Sequence, residues 1–212
     1  MRVRCSAKLP RDIHMLKIIK PDEFTLVPWK NGLGHTTELA INENGSLDDF
    51  DWRLSIASVI ADGEFSNFSG YQRNLVFIEG NGLILDHRNG DIDQLTQLLD
   101  IARFDGASKT HGALIDGGIK DFNIMTNQNT FSPEVNGYVE QQTVTVELLA
   151  GNLLFAYSLT DEMRVNTSQD EDCTVPVGHL LKVFEINDKQ KGNELTVKVS
   201  GENMIVIQLK LK

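Results

Sequence analysis

Short alternating segments separated by turn residues constrain the fold of this chain most. From Lys17 onward, apolar and polar residues alternate with period two, β-branched residues are frequent, and Gly, Asn and Asp interrupt the pattern at short intervals. Alternation of this kind is typical of half-buried β-strands joined by turns. Many short strands predict a sandwich or a barrel, so we expect an all-β protein.

The predicted strands and turns follow directly from this pattern. The clearest strands are at residues 38–41, 51–59, 74–79, 82–86, 142–149, 153–159, 180–186, 195–199 and 203–211. The Gly- and Asn-containing segments 79–82 and 150–152 predict tight hairpins, because these residues tolerate positive φ. Segment 91–104 leaves two interpretations open, a helix or a polar loop followed by a strand at 99–104.

Charge and composition exclude several classes of protein. Thirty acidic against 20 basic residues give a net charge of −10, which is opposite to the basic footprint of a nucleic-acid-binding protein. No apolar run approaches the ~20 residues of a membrane helix, so we expect no membrane span. The two cysteines, Cys5 and Cys173, form no CxxC pair, and free thiols favour a reducing compartment, the cytoplasm.

The first 14 residues differ from the rest of the chain. They carry Arg2, Arg4, Lys8 and Arg11 but no continuous apolar run of the kind that a signal peptide needs. We interpret residues 1–14 as a disordered leader or as the product of a start codon assigned too early, with the functional chain opening at Met15. A polar break at residues 128–134 separates the first group of strands from the second.

The densest cluster of chemically useful residues is segment 28–38. Its glycines allow a close backbone approach, while Trp29, Lys30, Asn31, Thr36 and Glu38 offer a ring face, a cation, an amide, a hydroxyl and a carboxylate. These five residues are candidate ligand-binding residues. The alternative is a tight turn whose Trp covers the core and whose Lys and Glu pair in solvent.

Two further segments contribute candidate residues. In segment 51–57, alternation places Arg53 and Ser55 on one strand face and the large apolar residues on the other. The polar face is expected either in solvent or at a barrel mouth, where an Arg fork suits a carboxylate. Arg73 follows a loop with two aromatic residues at 62–70, for which a structural turn is the other interpretation.

Metal and nucleophile motifs are missing from the sequence. The five histidines are isolated from one another, and no HxH, HExxH or GxSxG motif occurs. The carboxylates form no pair at a defined spacing that would indicate acid–base catalysis. We therefore predict no metal, no cofactor and no assigned catalytic residue.

Five ordered motifs carry a resemblance to a known family. The segments read PWKNGLGHTTELA, FDWRLSIASV, DGEFSNFSGYQR, EGNGLIL and GGIKDFNIM. In this order and spacing they resemble the HutD/Ves family of small cupin-like proteins. The resemblance implies a bicupin: two RmlC-like cupin modules, at about 15–130 and 131–212, packed into one compact unit.

The resemblance also implies an accessory or regulatory role in histidine utilisation, without an established catalytic activity. We expect a metal-independent protein that binds a small carboxylate, such as formylglutamate, in the mouth of the first barrel. Arg53 and Lys30 would hold the carboxylate, Asn31 and Ser55 would bind neutral polar groups, and Trp29 would cover one side. A cupin enzyme with Glu38 as general base, a stress-response protein and a homodimer remain open alternatives.

Overall fold

The protein is described by a computed structural model that covers residues 14–29, 34–169, 172–185 and 195–212. The predicted leader, residues 1–14, lies outside the described residues apart from His14, which begins the first strand. Strands dominate the described ranges, and their helical part is a 3₁₀ turn at Pro21–Glu23. In these ranges no helix combines the length and the apolarity that a membrane span requires.

The described residues form nineteen β-strands. The strands of the first half are β1 (His14–Ile19), β2 (Thr25–Pro28), β3 (Gly34–Ile41), β4 (Trp52–Val59), β5 (Gly63–Glu64), β6 (Tyr71–Glu79), β7 (Leu83–Asp86), β8 (Ile92–Leu95), β9 (Ile101–Asp105), β10 (His111–Leu114) and β11 (Ile119–Asn127). Those of the second half are β12 (Phe131–Tyr138), β13 (Gln142–Leu148), β14 (Leu153–Ser158), β15 (Met163–Thr167), β16 (Asp172–Val175), β17 (Leu180–Glu185), β18 (Leu195–Gly201) and β19 (Met204–Leu211).

These strands build two β-sandwich modules. In the first module, a six-stranded sheet with the order β2-β3-β4-β11-β6-β9 is accompanied by a four-stranded sheet with the order β5-β10-β7-β8. In the second module, the sheets have the orders β1-β17-β14-β19-β12 and β13-β18-β15-β16. The expected all-β class and the arrangement of two sandwich modules in one unit are confirmed.

The first strand joins the second module. β1 pairs with β17 in an antiparallel register that runs from His14 opposite Glu185 to Ile19 opposite Leu180. The larger sheet of the second module therefore contains strands from both ends of the described chain. This long-range pairing ties β1 to the second module.

A shared apolar core joins the two modules. The Trp52 ring on β4 of the first module lies 4.9 Å from the Phe155 ring on β14 of the second. Phe122 on β11 and Tyr157 on β14 repeat this contact at 5.2 Å between ring centroids. The large sheets of both modules pack face to face here, so one face of the six-stranded sheet is buried in the interface between the modules.

Two of the predicted connections differ from the structure. The Gly-containing turns at 79–82 and 150–152 do not form hairpins, since each connects strands of opposite sheets in one sandwich. Gly80, Gly82 and Gly151 do adopt positive φ, at 117°, 151° and 80°. The turn chemistry was thus correctly predicted, but the prediction of tight hairpins was wrong, because tight turns also carry a chain across a sandwich.

Segment 91–104 contains no helix. It forms β8 and the beginning of β9, and Leu99 between them has a positive φ of 66°. The helical interpretation was wrong and the loop-and-strand alternative was closer. Leu95 and Leu99 are buried in different apolar clusters, which a single helix face would not allow.

The shared core predicts that both modules unfold together. Phe155 is fully buried against Trp52, so Phe155→Ala should lower the free energy of unfolding by about 3–5 kcal/mol. Hydrogen exchange with mass spectrometry at increasing urea should show peptides of both modules losing protection at the same urea concentration. Ile60→Ala, at a site 65% exposed, is the matched control. Two separate transitions would contradict a shared core.

Candidate functional site

The candidate site lies on the face of the six-stranded sheet that points into the first sandwich. In the antiparallel register, Glu38 of β3 is opposite Ser55 of β4, which is opposite Asn123 of β11. Side chains at paired positions share one face of a sheet, so these three form a polar row. The neighbouring row contains Arg53 on β4 and Arg73 on β6, with Met125 between them.

Strand alternation explains why this polar face is buried. Trp52 and Leu54 occupy the opposite face of β4, where they enter the core between the modules. Leu75 and Phe77, which share the inward face with Asn123 through the pairing of β6 with β11, pack against Leu83 of the four-stranded sheet. The part of this face that lies on β6 and β11 is therefore covered by the opposing sheet.

The alternation predicted for segment 51–57 is confirmed. Of the two positions left open for the polar face, exposure of Arg53 to solvent is wrong. Arg53 is 7% exposed and Ser55 is 3% exposed. Burying a guanidinium costs free energy unless it is paired or hydrogen-bonded. Its position therefore has to be explained by partners inside the first sandwich.

Arg53 pairs with Glu38. The Arg53 Nε atom donates a hydrogen bond of 2.6 Å to Glu38 Oε2. No other described residue accepts a hydrogen bond from this guanidinium, so its two terminal nitrogens keep their donor capacity. Glu38 lies at a register shift between β3 and β4, a place where a bulge re-aims a side chain. Its side chain is 25% exposed, against 8% for Arg53.

Arg73 is enclosed by aromatic rings. Its guanidinium carbon lies 5.0 Å from the Phe65 ring centroid, 5.9 Å from that of Phe68 and 5.1 Å from that of Phe104. Contacts of this kind between a cation and ring faces are attractive, more so when water is excluded. Nη2 donates to Asn123 Oδ1 at 3.0 Å, while Nε has no partner.

Asp121 on β11 is the unexpected member of the cluster. It is fully buried, its Oδ1 accepts a hydrogen bond from Asn123, and its Oδ2 has no hydrogen-bond partner. Burial raises the pKa of Asp121 to about 7, although the positive charge of Arg73 acts in the opposite direction. Burial likewise lowers the pKa of Arg73 to about 10, with Asp121 opposing and Arg53 reinforcing this shift.

The remaining predicted residues lie in segment 28–38. Trp29 Nε1 donates a 2.8 Å hydrogen bond to Thr36 Oγ1, which fixes the indole beside β3. A Cβ at Gly34 would come within 2.9 Å of the Trp29 ring, so this position requires glycine for close packing. Lys30 and Asn31 lie outside the described residues. The structure thus brings Glu38, Arg53 and Ser55 together, places Arg73 beside them, and links Trp29 to Thr36.

The described residues of this site form no metal-binding cluster, and the large cavity of the protein lies elsewhere. Among the described residues, no three His, Cys, Asp or Glu side chains converge as a metal would require. His87 is buried but hydrogen-bonded to Thr110 and Asp93. A cavity of about 780 Å³ lies in the second module, where Tyr138, Gln208 and other residues of β12, β13 and β19 line it, away from the buried cations.

Comparison with known proteins decides the family. The family model described as HutD matches residues 22–206. The chain belongs to the HutD family. A protein from the hutC 3′ region of Pseudomonas putida is 37% identical over 112 residues, 52% of this chain and 57% of that protein. Protein Ves of Escherichia fergusonii is 30% identical over 170 residues, which cover 79% of this chain and 87% of Ves.

Solved structures support the same assignment. HutD from Pseudomonas fluorescens SBW25 superposes with a TM-score of 0.76 at 27% identity, covering 93% of this chain and 100% of that one. A protein of unknown function from Pseudomonas aeruginosa PAO1 gives a TM-score of 0.79 at 27% identity, covering 93% of this chain and 99% of that one. The resemblance read from the five motifs is therefore confirmed.

Sequence reasoning missed Asp121 and Asn123 in this HutD-family protein. The signal was present in segment 119–125, where Asp121 and Asn123 alternate with Phe122 and Ile124. The same alternation had identified Arg53 and Ser55. Two buried polar residues two positions apart on an otherwise apolar strand indicate a shared polar face.

The buried carboxyl predicts an unusual dependence of stability on pH. Because the native pKa of Asp121 lies above its unfolded value, the folded protein binds more protons, and its stability falls as pH rises from about 4 to about 7. Asp121→Asn should remove this term, so the variant gains about 3 kcal/mol relative to wild type between pH 5 and pH 8.

Urea unfolding of both proteins at pH 5, 6, 7 and 8 measures the difference. Asp48→Asn, at an exposed position, should show no such trend. A constant difference between wild type and Asp121→Asn across this range would show that Asp121 has an ordinary pKa.

Proposed function

We propose that this HutD-family protein binds a small carboxylate-bearing metabolite inside its first module, without a metal or cofactor. The observation that carries the proposal is the state of Arg53. Its guanidinium is buried, one nitrogen pairs with Glu38, and no other described residue accepts from it. A planar carboxylate accepting two parallel hydrogen bonds from the terminal nitrogens would satisfy this donor capacity.

The charge balance of the cluster supports an anionic ligand. Arg53 and Arg73 bring two positive charges, whereas Glu38 and Asp121 bring at most two negative ones. With a pKa of about 7, Asp121 is only partly ionised at neutral pH, so positive charge exceeds negative charge locally. The net charge of −10 repels anions at long range, but screening limits that repulsion to roughly 10 Å. Within the sandwich, the local cations dominate.

Each neighbouring residue has a proposed role. The Ser55 hydroxyl, beside Arg53 on the same strand face, would hydrogen-bond a neutral group of the ligand. Trp29, fixed by Thr36, would cover one side. Arg73, held by Asn123 and three phenyl rings, would contribute positive potential. Lys30 and Asn31 keep their expected roles as a second cation and an amide donor.

The family connection suggests where the ligand comes from. One relative is encoded in the 3′ region of hutC. We propose an accessory or regulatory role in histidine utilisation in the cytoplasm, with an intermediate such as formylglutamate as the ligand. The similarity to Ves leaves a stress-response role as the alternative setting.

One observation favours an enzyme as the second candidate. A carboxyl whose pKa lies near 7 has the acidity of an effective general acid or base, and Asp121 lies near Arg73, which in turn neighbours the proposed anchor Arg53. Glu38, the general base considered from the sequence, already accepts a hydrogen bond from Arg53 at one of its oxygens. Turnover detected by NMR with a bell-shaped pH profile, lost in Asp121→Asn or Glu38→Gln, would favour this candidate.

The binding proposal predicts a ligand-induced rise in melting temperature. Metal-stripped protein is titrated with histidine, urocanate, formiminoglutamate, formylglutamate and glutamate, and separately with zinc, manganese and iron. A ligand that binds the native state raises the melting temperature by mass action. We expect a dose-dependent rise with at least one carboxylate and none with a metal alone. A rise only with a metal would contradict the proposal.

Arg53→Lys tests the anchor directly. The substitution keeps the positive charge but removes the fork that grips a carboxylate, so the dissociation constant should rise at least tenfold in calorimetry. Arg88→Lys, at a half-exposed Arg paired with Asp86, is the matched control and should bind as wild type does. Unchanged affinity in a folded Arg53→Lys protein would exclude Arg53 as the anchor.

A further inference from the structure

We propose that Glu38 selects the ligand, so that the site prefers carboxylates carrying an N–H group on the adjacent carbon, as amino acids and N-acyl amino acids do. The inference rests on the proposed function, because it assumes that Arg53 holds a carboxylate. It goes further by naming the class of ligand and the residue that determines it.

Glu38 lies directly beside the guanidinium that would hold the ligand carboxylate. Its hydrogen bond with Arg53 uses Nε of the guanidinium and Oε2 of the carboxylate. No described residue donates a hydrogen bond to the other carboxylate oxygen, Oε1, so it keeps its capacity as an acceptor. The Glu38 side chain is 25% exposed and that of Arg53 is 8% exposed, so a ligand that reaches the guanidinium from solvent meets the carboxylate of Glu38 as well.

The second step concerns repulsion between like charges. A bound carboxylate and Glu38 would flank one guanidinium, and two carboxylates at such short separation repel each other in a partly dehydrated site. A ligand without any other polar group bears the whole of this repulsion. A ligand that donates a hydrogen bond to Glu38 Oε1 replaces part of it with attraction.

The third step fixes where the donor must be. Nε and Oε2 are only 2.6 Å apart, so the free nitrogens of Arg53 and the free oxygen of Glu38 belong to one small patch. A ligand whose carboxylate accepts from the free nitrogens of Arg53 can donate an N–H of the adjacent carbon to Glu38 without ordering extra rotatable bonds. Ser55, in register with Glu38 and 3% exposed, adds a hydroxyl beside the same patch.

Another role for Glu38 would be to position Arg53 alone. Glu38→Gln separates the two roles, because the amide oxygen still accepts from Arg53 while the negative charge is lost. If Glu38 selects the ligand, the variant loses its preference for the amino-bearing compound and binds the plain carboxylate more tightly. If Glu38 only positions Arg53, affinity for both compounds falls by the same factor.

Matched pairs of probes provide the experiment. Calorimetry compares glutamate with glutarate and alanine with propionate, which differ only in the α-amino group. Wild type should bind the amino-bearing member at least tenfold more tightly, and Glu38→Gln should reduce this ratio to about one while improving glutarate binding. Glu79→Gln, an exposed Glu paired with Lys120, should leave the ratio unchanged.

The outcomes separate the two proposals. Equal affinity within each pair for wild type, combined with loss of both in Arg53→Lys, would overturn the selectivity of Glu38 and leave the carboxylate anchor standing. Parallel losses in Glu38→Gln would assign Glu38 to positioning and overturn the inference. Failure of wild type to bind any of the four probes or the larger carboxylates would overturn both. Thermal melts establish that each variant is folded.

Discussion

The central strands β4, β11 and β6 of the six-stranded sheet are buried on both faces, and the two faces make opposite demands. One face packs Trp52 and Phe122 against the aromatic residues of the second module. The other face holds charged groups inside the first sandwich. Because desolvated charges are costly, every cation on this inner face needs a partner, and the arrangement of partners determines what the site can bind.

The two buried arginines meet this demand differently. Arg73 is surrounded by three phenyl rings and hydrogen-bonded by Asn123, which in turn holds Asp121. Arg53 has a single described partner, Glu38. We propose from this contrast that the arginines have different tasks. Arg73 belongs to the framework of the site, while Arg53 retains hydrogen-bonding capacity that a ligand can use.

Much of the fold could be predicted from local patterns. The period-two alternation gave the all-β class, and in segment 51–57 it also gave the two faces of β4. Sheet membership could not be predicted in the same way. The pairing of β1 with β17 depends on contacts across most of the chain, and a tight turn joins neighbouring strands or opposite sheets with the same Gly and Asn residues.

The candidate site likewise combines residues that local patterns predict with residues that depend on tertiary contacts. Glu38, Arg53 and Ser55 were predicted because their segments combine polar residues with clear turn or strand patterns. Asp121 was missed because its role depends on burial beneath the opposing sheet and on the nearness of Arg73, neither of which alternation reveals. Alternation within 119–125 could have indicated that Asp121 lies on the same face of β11 as Asn123. Its raised pKa, however, arises from burial in the folded protein.

The claim at the centre of this account is that Arg53 anchors a carboxylate inside the first module. The most direct measurement is an anomalous difference map at the bromine absorption edge from crystals soaked in 4-bromobenzoate, an aryl bromide that does not alkylate side chains. The account predicts a bromine peak inside the first sandwich, with the carboxylate on the terminal nitrogens of Arg53, and no such peak in Arg53→Lys crystals. Bromobenzoate bound instead in the second-module cavity, with no density on Arg53, would contradict it.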